Sequence, residues 1–441
     1  MKRIIALALI CIMCFSFFSC ANIIDWSLER HAIALSAEAK ETSYQDFKDE
    51  NFTAFLEKIQ DFSVRLTDKI AHEYGKTENF AISPISIYMG LALACECSAG
   101  ETRQEILDAV GVTYEEVSKY TSTLYAYANK EYLQYNLVAQ KQVVAYQTLY
   151  NSIWLDNDVE FVEQGVQKLA NEYNCDVFQT SFKSGEAKKL IKRYIYNKTN
   201  GLIDGDIDLS PETYFVLMNT YYLKEIWNEL GTNLSFTSES INFQNTDGGI
   251  KSTKLLMGYY NEGKVYRGDR FEAFFTITEH GFKIYFIVPD DEWSISQVFT
   301  EENINTVLDI KDWGYVDDEN KQLHHTRVFF PEFKAEFDND ISDLLSEDFG
   351  IKQLFDRNAC DMSNVSVSPV YCEGVFHKTS LTVDKKGIEG AAVTYLPAAG
   401  AAAPPPYEKV YHDFYVDRAF GFIICDPYGT VVFSGVINTL N

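Results

Sequence analysis

Gly387-Ile-Glu-Gly-Ala-Ala-Val-Thr-Tyr-Leu-Pro-Ala-Ala-Gly-Ala-Ala-Ala-Pro-Pro-Pro406 is the stretch on which the reading turns. It holds one charged residue, Glu389, six small residues in a row from Ala398 to Ala403, and then three prolines. It lacks the bulk to pack a core. The prolines forbid helix and favour an extended polyproline conformation. A long exposed loop of this kind is either functional or a linker. Small side chains on an extended backbone also suit the cleft of a protease.

Downstream, Asp413 to Asn441 reads as strand, turn at Asp426-Pro427-Tyr428-Gly429, and strand. Upstream, strand-like runs cover Val143–Leu155, Tyr214–Leu223, Ala273–Val288, Arg327–Phe337 and Gly374–Val383. Helical spacing covers 50–75 (Phe55, Ile59, Phe62, Leu66, Ile70) and 84–111, with a break at Ser98-Ala99-Gly100, and residues 160–175 also read as helix. Helices lead and strands dominate the second half. With no βα alternation and no fixed-period repeat, the fold class is α+β in one large domain.

The chain has 441 residues, 46% of them hydrophobic, with 31 Phe and 28 Tyr, which is ample for a large core. Lys plus Arg is 38 against 64 Asp plus Glu, a net charge of −26. Such a surface repels nucleic acid and anionic membrane, so neither is expected as a partner.

The N-terminus reads as an export signal over residues 1–19. Lys2 and Arg3 precede an apolar run from Ile4 to Phe18 that is shorter than the ~20 residues a spanning helix needs. Cys20 stands where a bacterial lipoprotein signal places its acylated cysteine, followed by a polar tether over 20–46 and a folded domain over 47–441. The expected location is the outer membrane or cell surface, with the membrane met only through the lipid. Plain secretion after cleavage at Ala21 is the alternative. The remaining cysteines (95, 97, 175, 360, 372 and 425) are scattered among apolar residues and are expected to be core rather than disulfides or metal ligands.

Catalytic signatures are missing. There is no His-Glu-x-x-His, no Gly-x-Ser-x-Gly and no zinc pattern, so no enzyme, metal or cofactor is expected. Gly258–Lys264 imitates a phosphate loop, but Val265 stands where Ser or Thr would hold magnesium. His324-His325 reads as solvated surface. His377, inside a strand pattern, reads as a hydrogen-bonded structural group.

Several separated motifs together resemble the serpin family. They are Asn79-Phe-Ala-Ile-Ser83-Pro84-Ile-Ser86, Gly100-Glu-Thr102, Asn151-Ser-Ile-Trp, Asn197-Lys-Thr199-Asn-Gly201, Val216–Trp227, Phe330-Pro331-Glu-Phe333, Asp361-Met-Ser363, and Phe414-Tyr-Val-Asp417-Arg418-Ala419-Phe420 with Phe433-Ser-Gly435. The resemblance runs from about Phe47 to Asn441. It implies three β-sheets, a helix-rich N-terminal half and an exposed reactive-centre loop over about 385–410. It also implies a monomeric suicide inhibitor of serine proteases, whose loop is cleaved and inserts into a sheet while the protease stays attached as a trapped acyl-enzyme.

On this resemblance Gly387, Ile388, Glu389, Gly390, Ala391, Ala392, Val393 and Thr394 form the hinge. Ser83, Ser86, Asn219 and His377 form a central shutter whose polar groups satisfy one another. Trp227 marks the breach at the head of the sheet. Alternate residues facing inward, Ile388, Gly390, Ala392, Thr394, Leu396 and Ala398, are all uncharged, so each can enter a sheet interior. Lys385, Ile388 and Gly390 depart from the residues usual at those positions, and Pro397 would remove one ladder bond.

About 15 residues at ~3.3 Å each span one sheet length, ~50 Å. Counted from Gly387, this places the cleaved bond at Ala401–Ala402 and implies an elastase-like target. Counting back from Phe420 gives Glu408–Lys409 and a trypsin-like one. Cysteine proteases are a further possible partner class. The competing readings are a non-inhibitory binding protein of the same fold, or a surface lipoprotein that binds glycan through its aromatics.

Overall fold

In the computed structural model, residues 49–440 are described except 136–140, 200, 204–208, 211, 228–233, 262–264, 312, 314–321 and 389–407. The signal segment, Cys20, the tether, the hinge from Glu389 to Thr394 and the Ala401–Ala402 bond therefore lie outside the described residues.

Helix α1 (Glu50–Tyr74) starts at Asp49, whose carboxylate caps the Asn51 amide. Its apolar stripe of Phe55, Ile59, Phe62, Leu66 and Ile70 is fully buried. After the short strand β1 (Phe80–Ile82), Pro84 opens helix α2 (Pro84–Cys97) at the position where its missing N–H costs nothing. All of α2 but Gly90 is buried, and the break foreseen at Ser98–Gly100 separates it from α3 (Gly100–Val110). A reciprocal Thr113/Glu116 capping box begins α4 (Tyr114–Tyr127). Helices α5 (Glu163–Tyr173) and α6 (Glu186–Lys198) follow, and only the first is evident from the sequence. Three short helices complete the described set: α7 (Ile295–Val298), α8 (Glu301–Leu308) and α9 (Ser342–Glu347).

Three main sheets and one two-stranded ribbon are present among the described residues. The first sheet contains β2 (Lys130–Tyr135), β3 (Lys141–Asp156), β4 (Cys175–Thr180), β5 (Phe215–Ile226), β14 (Phe333–Asp340), β15 (Phe376–Asp384) and β16 (Gly387–Ile388). Its order is β14-β15-β16-β5-β3-β2, with β4 parallel to β3. The second sheet runs β1-β19-β18-β12-β11-β10, from β10 (Tyr266–Arg267), β11 (Phe271–Ile277), β12 (Lys283–Pro289), β18 (Phe420–Cys425) and β19 (Val431–Ile437). The third runs β17-β13-β9-β6, from β6 (Ser235–Phe236), β9 (Leu256–Asn261), β13 (Gln322–Phe330) and β17 (Glu408–Tyr415). The ribbon pairs β7 (Ile241–Gln244) with β8 (Ile250–Thr253).

Strands β18 and β19 are buried at every residue, because helices cover one face of the second sheet and the first sheet packs on the other. Two runs that read as single strands are pairs. Ala273–Val288 turns at Thr278–Gly281 into the β11–β12 hairpin. Arg327–Phe337 is cut at Pro331, which passes the chain from the third sheet to the first.

Candidate functional site: the open seam of the first sheet

Strands β15 and β5 are neighbours in the first sheet, yet no ladder pair joins them among the described residues. Only β16 bridges them, and only at one end. Gly387 stands opposite Asp384 and Ile226, and Ile388 opposite Val383 and Glu225. Beyond Ile388 the facing edges, Phe376 to Thr382 and Phe215 to Lys224, have no strand between them among the described residues. The next residues in the chain, from Glu389, lie outside the described residues.

Glycine is required at 387. Its φ is +149°, and an added Cβ would collide with the Glu225 carbonyl oxygen. The turn before it is set by Asp384, whose carboxylate accepts the Lys386 amide at 2.7 Å and the Gly387 amide at 3.2 Å. An Asx turn of this kind has a visible signal in Asp384-Lys-Lys-Gly387. Ile388 is fully buried, so the departure at this position is accommodated as core.

Trp227 donates Nε1–H to the Asp384 carbonyl at 2.7 Å and packs edge-on against Phe330. It thereby ties the end of β5 to the end of β15.

The shutter residues meet, but not as one network. Helix α2 begins beneath the seam and holds each side separately. The Ser83 amide donates to His377 Nε2 of β15 at 3.0 Å. Ser86 donates to Asn219 of β5, which donates to Asn151 of β3, and Asn151 in turn donates to the Tyr173 carbonyl at 3.0 Å. The Ser83 hydroxyl is buried with no hydrogen-bond partner among the described residues, so the expected mutual satisfaction of all four residues is corrected. Asn151 is the member that sequence reasoning left out. Burial, with no compensating charge, pulls the His377 imidazole down to about 3, so it is neutral and accepts through Nε2.

Small cavities mark the gap. One is lined by Thr199, Leu202, Tyr222, Leu381 and Phe433, another by Ile203, Asn219, Phe376 and Lys378. The end of α6 and the turn after it therefore lie over the seam.

Other expectations fare differently. His325 is buried, stacked between Tyr259 and Tyr411 at 5.2 and 5.7 Å, and is not solvated surface. Gly258 lies inside β9, a strand interior rather than a strand-to-helix loop, so the phosphate-loop imitation has no cradle. The described cysteines are free, and all but Cys360 are buried. Burial pushes the Cys360 thiol up to about 11 and Cys95 to about 12, which makes them inert.

A family model described as "Serpin (serine protease inhibitor)" matches residues 57–439. Alpha-1-antitrypsin of Meriones unguiculatus is 24% identical over 404 residues, covering 90% of this chain and 91% of the relative. Neuroserpin of Homo sapiens is 23% identical over 389 residues, covering 86% and 90%. The crystal structure of the thermophilic serpin Tengpin in its native state superposes with a TM-score of 0.70 at 23% identity, covering 93% of this chain and all of that one.

The plain negative drawn from the missing motifs, no enzyme, is corrected in its terms by this match. Members of the matched family take part in a protease's own reaction, as non-catalytic suicide inhibitors.

Proposed function

The chain belongs to the serpin family, and from that premise we propose that it inhibits serine proteases as a single-turnover substrate, through a loop that inserts at the seam between β15 and β5. The observation that carries this reading is β16. Gly387 and Ile388 already sit as a strand at the head of a gap that holds no other strand among the described residues. A strand gains ladder bonds on both edges when it enters such a gap, at about 0.5–1.5 kcal/mol net per bond. Once the loop is cut, that gain drives it down the seam and carries the acylated protease along. Displacement of the protease's oxyanion site then slows hydrolysis of the ester.

The finer reading names an elastase-like target and cleavage at Ala401–Ala402. It is supported by the alanine-rich bait and by the reach counted from Gly387. Incubation with an elastase is expected to give an SDS-resistant complex and a released fragment beginning at Ala402. A fragment beginning at Glu408 or Lys409 would move the target to a trypsin-like enzyme. No covalent band with any serine protease of a broad panel would leave the chain a plain substrate.

The same proposal places the protein outside the cytoplasm on an acylated Cys20. Mass spectrometry of the mature N-terminus checks this, and a free terminus at Asn22 would replace anchoring with secretion. The glycan-binding alternative has less support, because many aromatic rings, among them Trp154, Tyr88, Phe274 and Phe286, are in the core.

A further inference from the structure

Glu225 carries a carboxylate into the interior directly beneath the hinge. Its side chain is 0% exposed, and it is the β5 residue opposite Ile388. A buried carboxylate is costly unless it is paired and hydrogen-bonded. Here the partner is His280, in the tight turn between β11 and β12 of the second sheet. His280 Nδ1 lies 2.6 Å from Glu225 Oε1, and the His280 amide donates to Oε2 at 3.3 Å. The same turn holds the next residues of β5. The Glu279 amide donates to the Ile226 carbonyl at 2.9 Å, and Trp227 bridges to Thr278.

On its other side the His280 ring lies against Tyr132 of β2, with centroids 4.2 Å apart. Tyr132 is in turn covered by the Lys130 ammonium at 5.1 Å. The charged and titratable groups around the pair are thus Tyr132 and Lys130 from β2, with Tyr221 of β5 and Asp426 of the β18–β19 turn acting on the same cluster. An inward charge in a strand of a core sheet is an unusual residue choice, and its location narrows its use. The backbone carbonyl of the same residue limits position 387 to glycine.

We propose that Glu225 and His280 are positioning residues for loop insertion: their buried pair fixes the last turn of β5 against the second sheet, so that its free edge stands in register to receive the chain after Ile388. This inference rests on the inhibitory reading above. The direction of its effect follows from the pairing. The tie supports the register Gly387–Ile226 and Ile388–Glu225 that β16 already makes, and does not oppose it. Loosening the tie lets the receiving edge wander, insertion slows, and more acyl-enzyme hydrolyses before it is trapped.

The test uses the full chain and a serine protease that the wild type traps. Moles of inhibitor consumed per mole of protease trapped are measured for wild type, His280→Ala, His280→Gln and Glu225→Gln, alongside thermal unfolding and the rate of loop cleavage. The expected result is a rise of about fivefold or more for His280→Ala and Glu225→Gln. His280→Gln, which keeps a donor near Glu225, should recover much of it. Cleavage rates should match wild type, because the loop is unaltered. Melting temperatures that fall with an unchanged ratio would reduce the pair to a structural role and overturn the inference, as would a ratio that improves. If wild type itself traps no protease, the inhibitory reading fails first, and that outcome is seen before any variant is made. Should His280→Ala not fold, the two glutamine variants carry the comparison.

Discussion

At the scale of single residues, the head of the seam depends on a few side chains with little room to change. Ile388 is wholly buried between Val383 and Glu225. An Ile388→Arg substitution would expel the residue from this slot, because a guanidinium there must be desolvated and must disturb the Glu225–His280 pair, and returning it during insertion would cost several kcal/mol. Each ~1.4 kcal/mol added to the insertion barrier slows insertion about tenfold, while cleavage at a distant bond is untouched. The expected outcome is a variant cut at the wild-type rate that traps almost nothing. Near wild-type trapping would exclude insertion through this hinge. Gly387→Ala meets the Glu225 carbonyl instead, and should destabilise the intact protein by about 1–3 kcal/mol in denaturant unfolding.

His377 sets a pH dependence at the same scale. Its folded pKa of about 3 lies below the ~6.5 of an imidazole in an unfolded chain, so between those values the unfolded state binds more protons. The contribution of neutral His377 is full above pH ~6.5 and is lost as the pH falls toward 3. Asp426 acts oppositely. Burial pushes its carboxyl up to about 6, above the ~3.9 of an unfolded aspartate, so its contribution is lost as the pH rises from about 4 through 6. Stability measured from pH 4 to 7 in wild type and His377→Asn separates the two. The variant should lose the rise with pH, and an unchanged curve would show that the imidazole is not held neutral.

At the scale of elements, α2 is the part that spans the seam, with Ser83 holding the β15 side and Ser86 the β5 side. Asn219→Ala would cut the second hold and leave Asn151 short of a partner, for an expected loss of about 1–3 kcal/mol. A loss confined to a few tenths would show that the linkage carries no load.

This scale also shows what the sequence could tell. The stripe Phe55, Ile59, Phe62, Leu66, Ile70 identified α1 because helical spacing is a local property. The hinge was assigned from the resemblance at Gly387, and only the cleaved bond was placed by counting, because strand reach is fixed per residue. Arg327–Phe337 read as one strand because a window of side chains records burial without recording which sheet provides it. His325 was misplaced for the same reason, since its cover comes from Tyr259 and Tyr411 on two other strands. Glu225 and His280 stand 55 residues apart, and nothing near either signals the other.

At the scale of the whole molecule, the proposed mechanism requires the intact chain to be less stable than it becomes with a strand added at the seam. Cleavage of the loop by any protease that cuts between its ends should therefore raise the melting temperature in calorimetry, without dissociation of the C-terminal fragment. That fragment holds β18 and β19, buried at every residue, so it stays bound after the cut. A cleaved form that melts at or below the intact one would mean the seam does not take up the loop.

The pairing of β1 with β19 has a kinetic consequence. Phe80 lies opposite Val436, and Asn79 accepts the backbone amides of Asn438 and Thr439 at 2.6 and 3.0 Å. The first strand of the second sheet thus waits for a partner strand that follows most of the other described elements in the chain. Contacts of such sequence separation make folding slow. A nascent chain cannot close this sheet until β18 and β19 have emerged from the ribosome, and β1 lacks its partner strand until then.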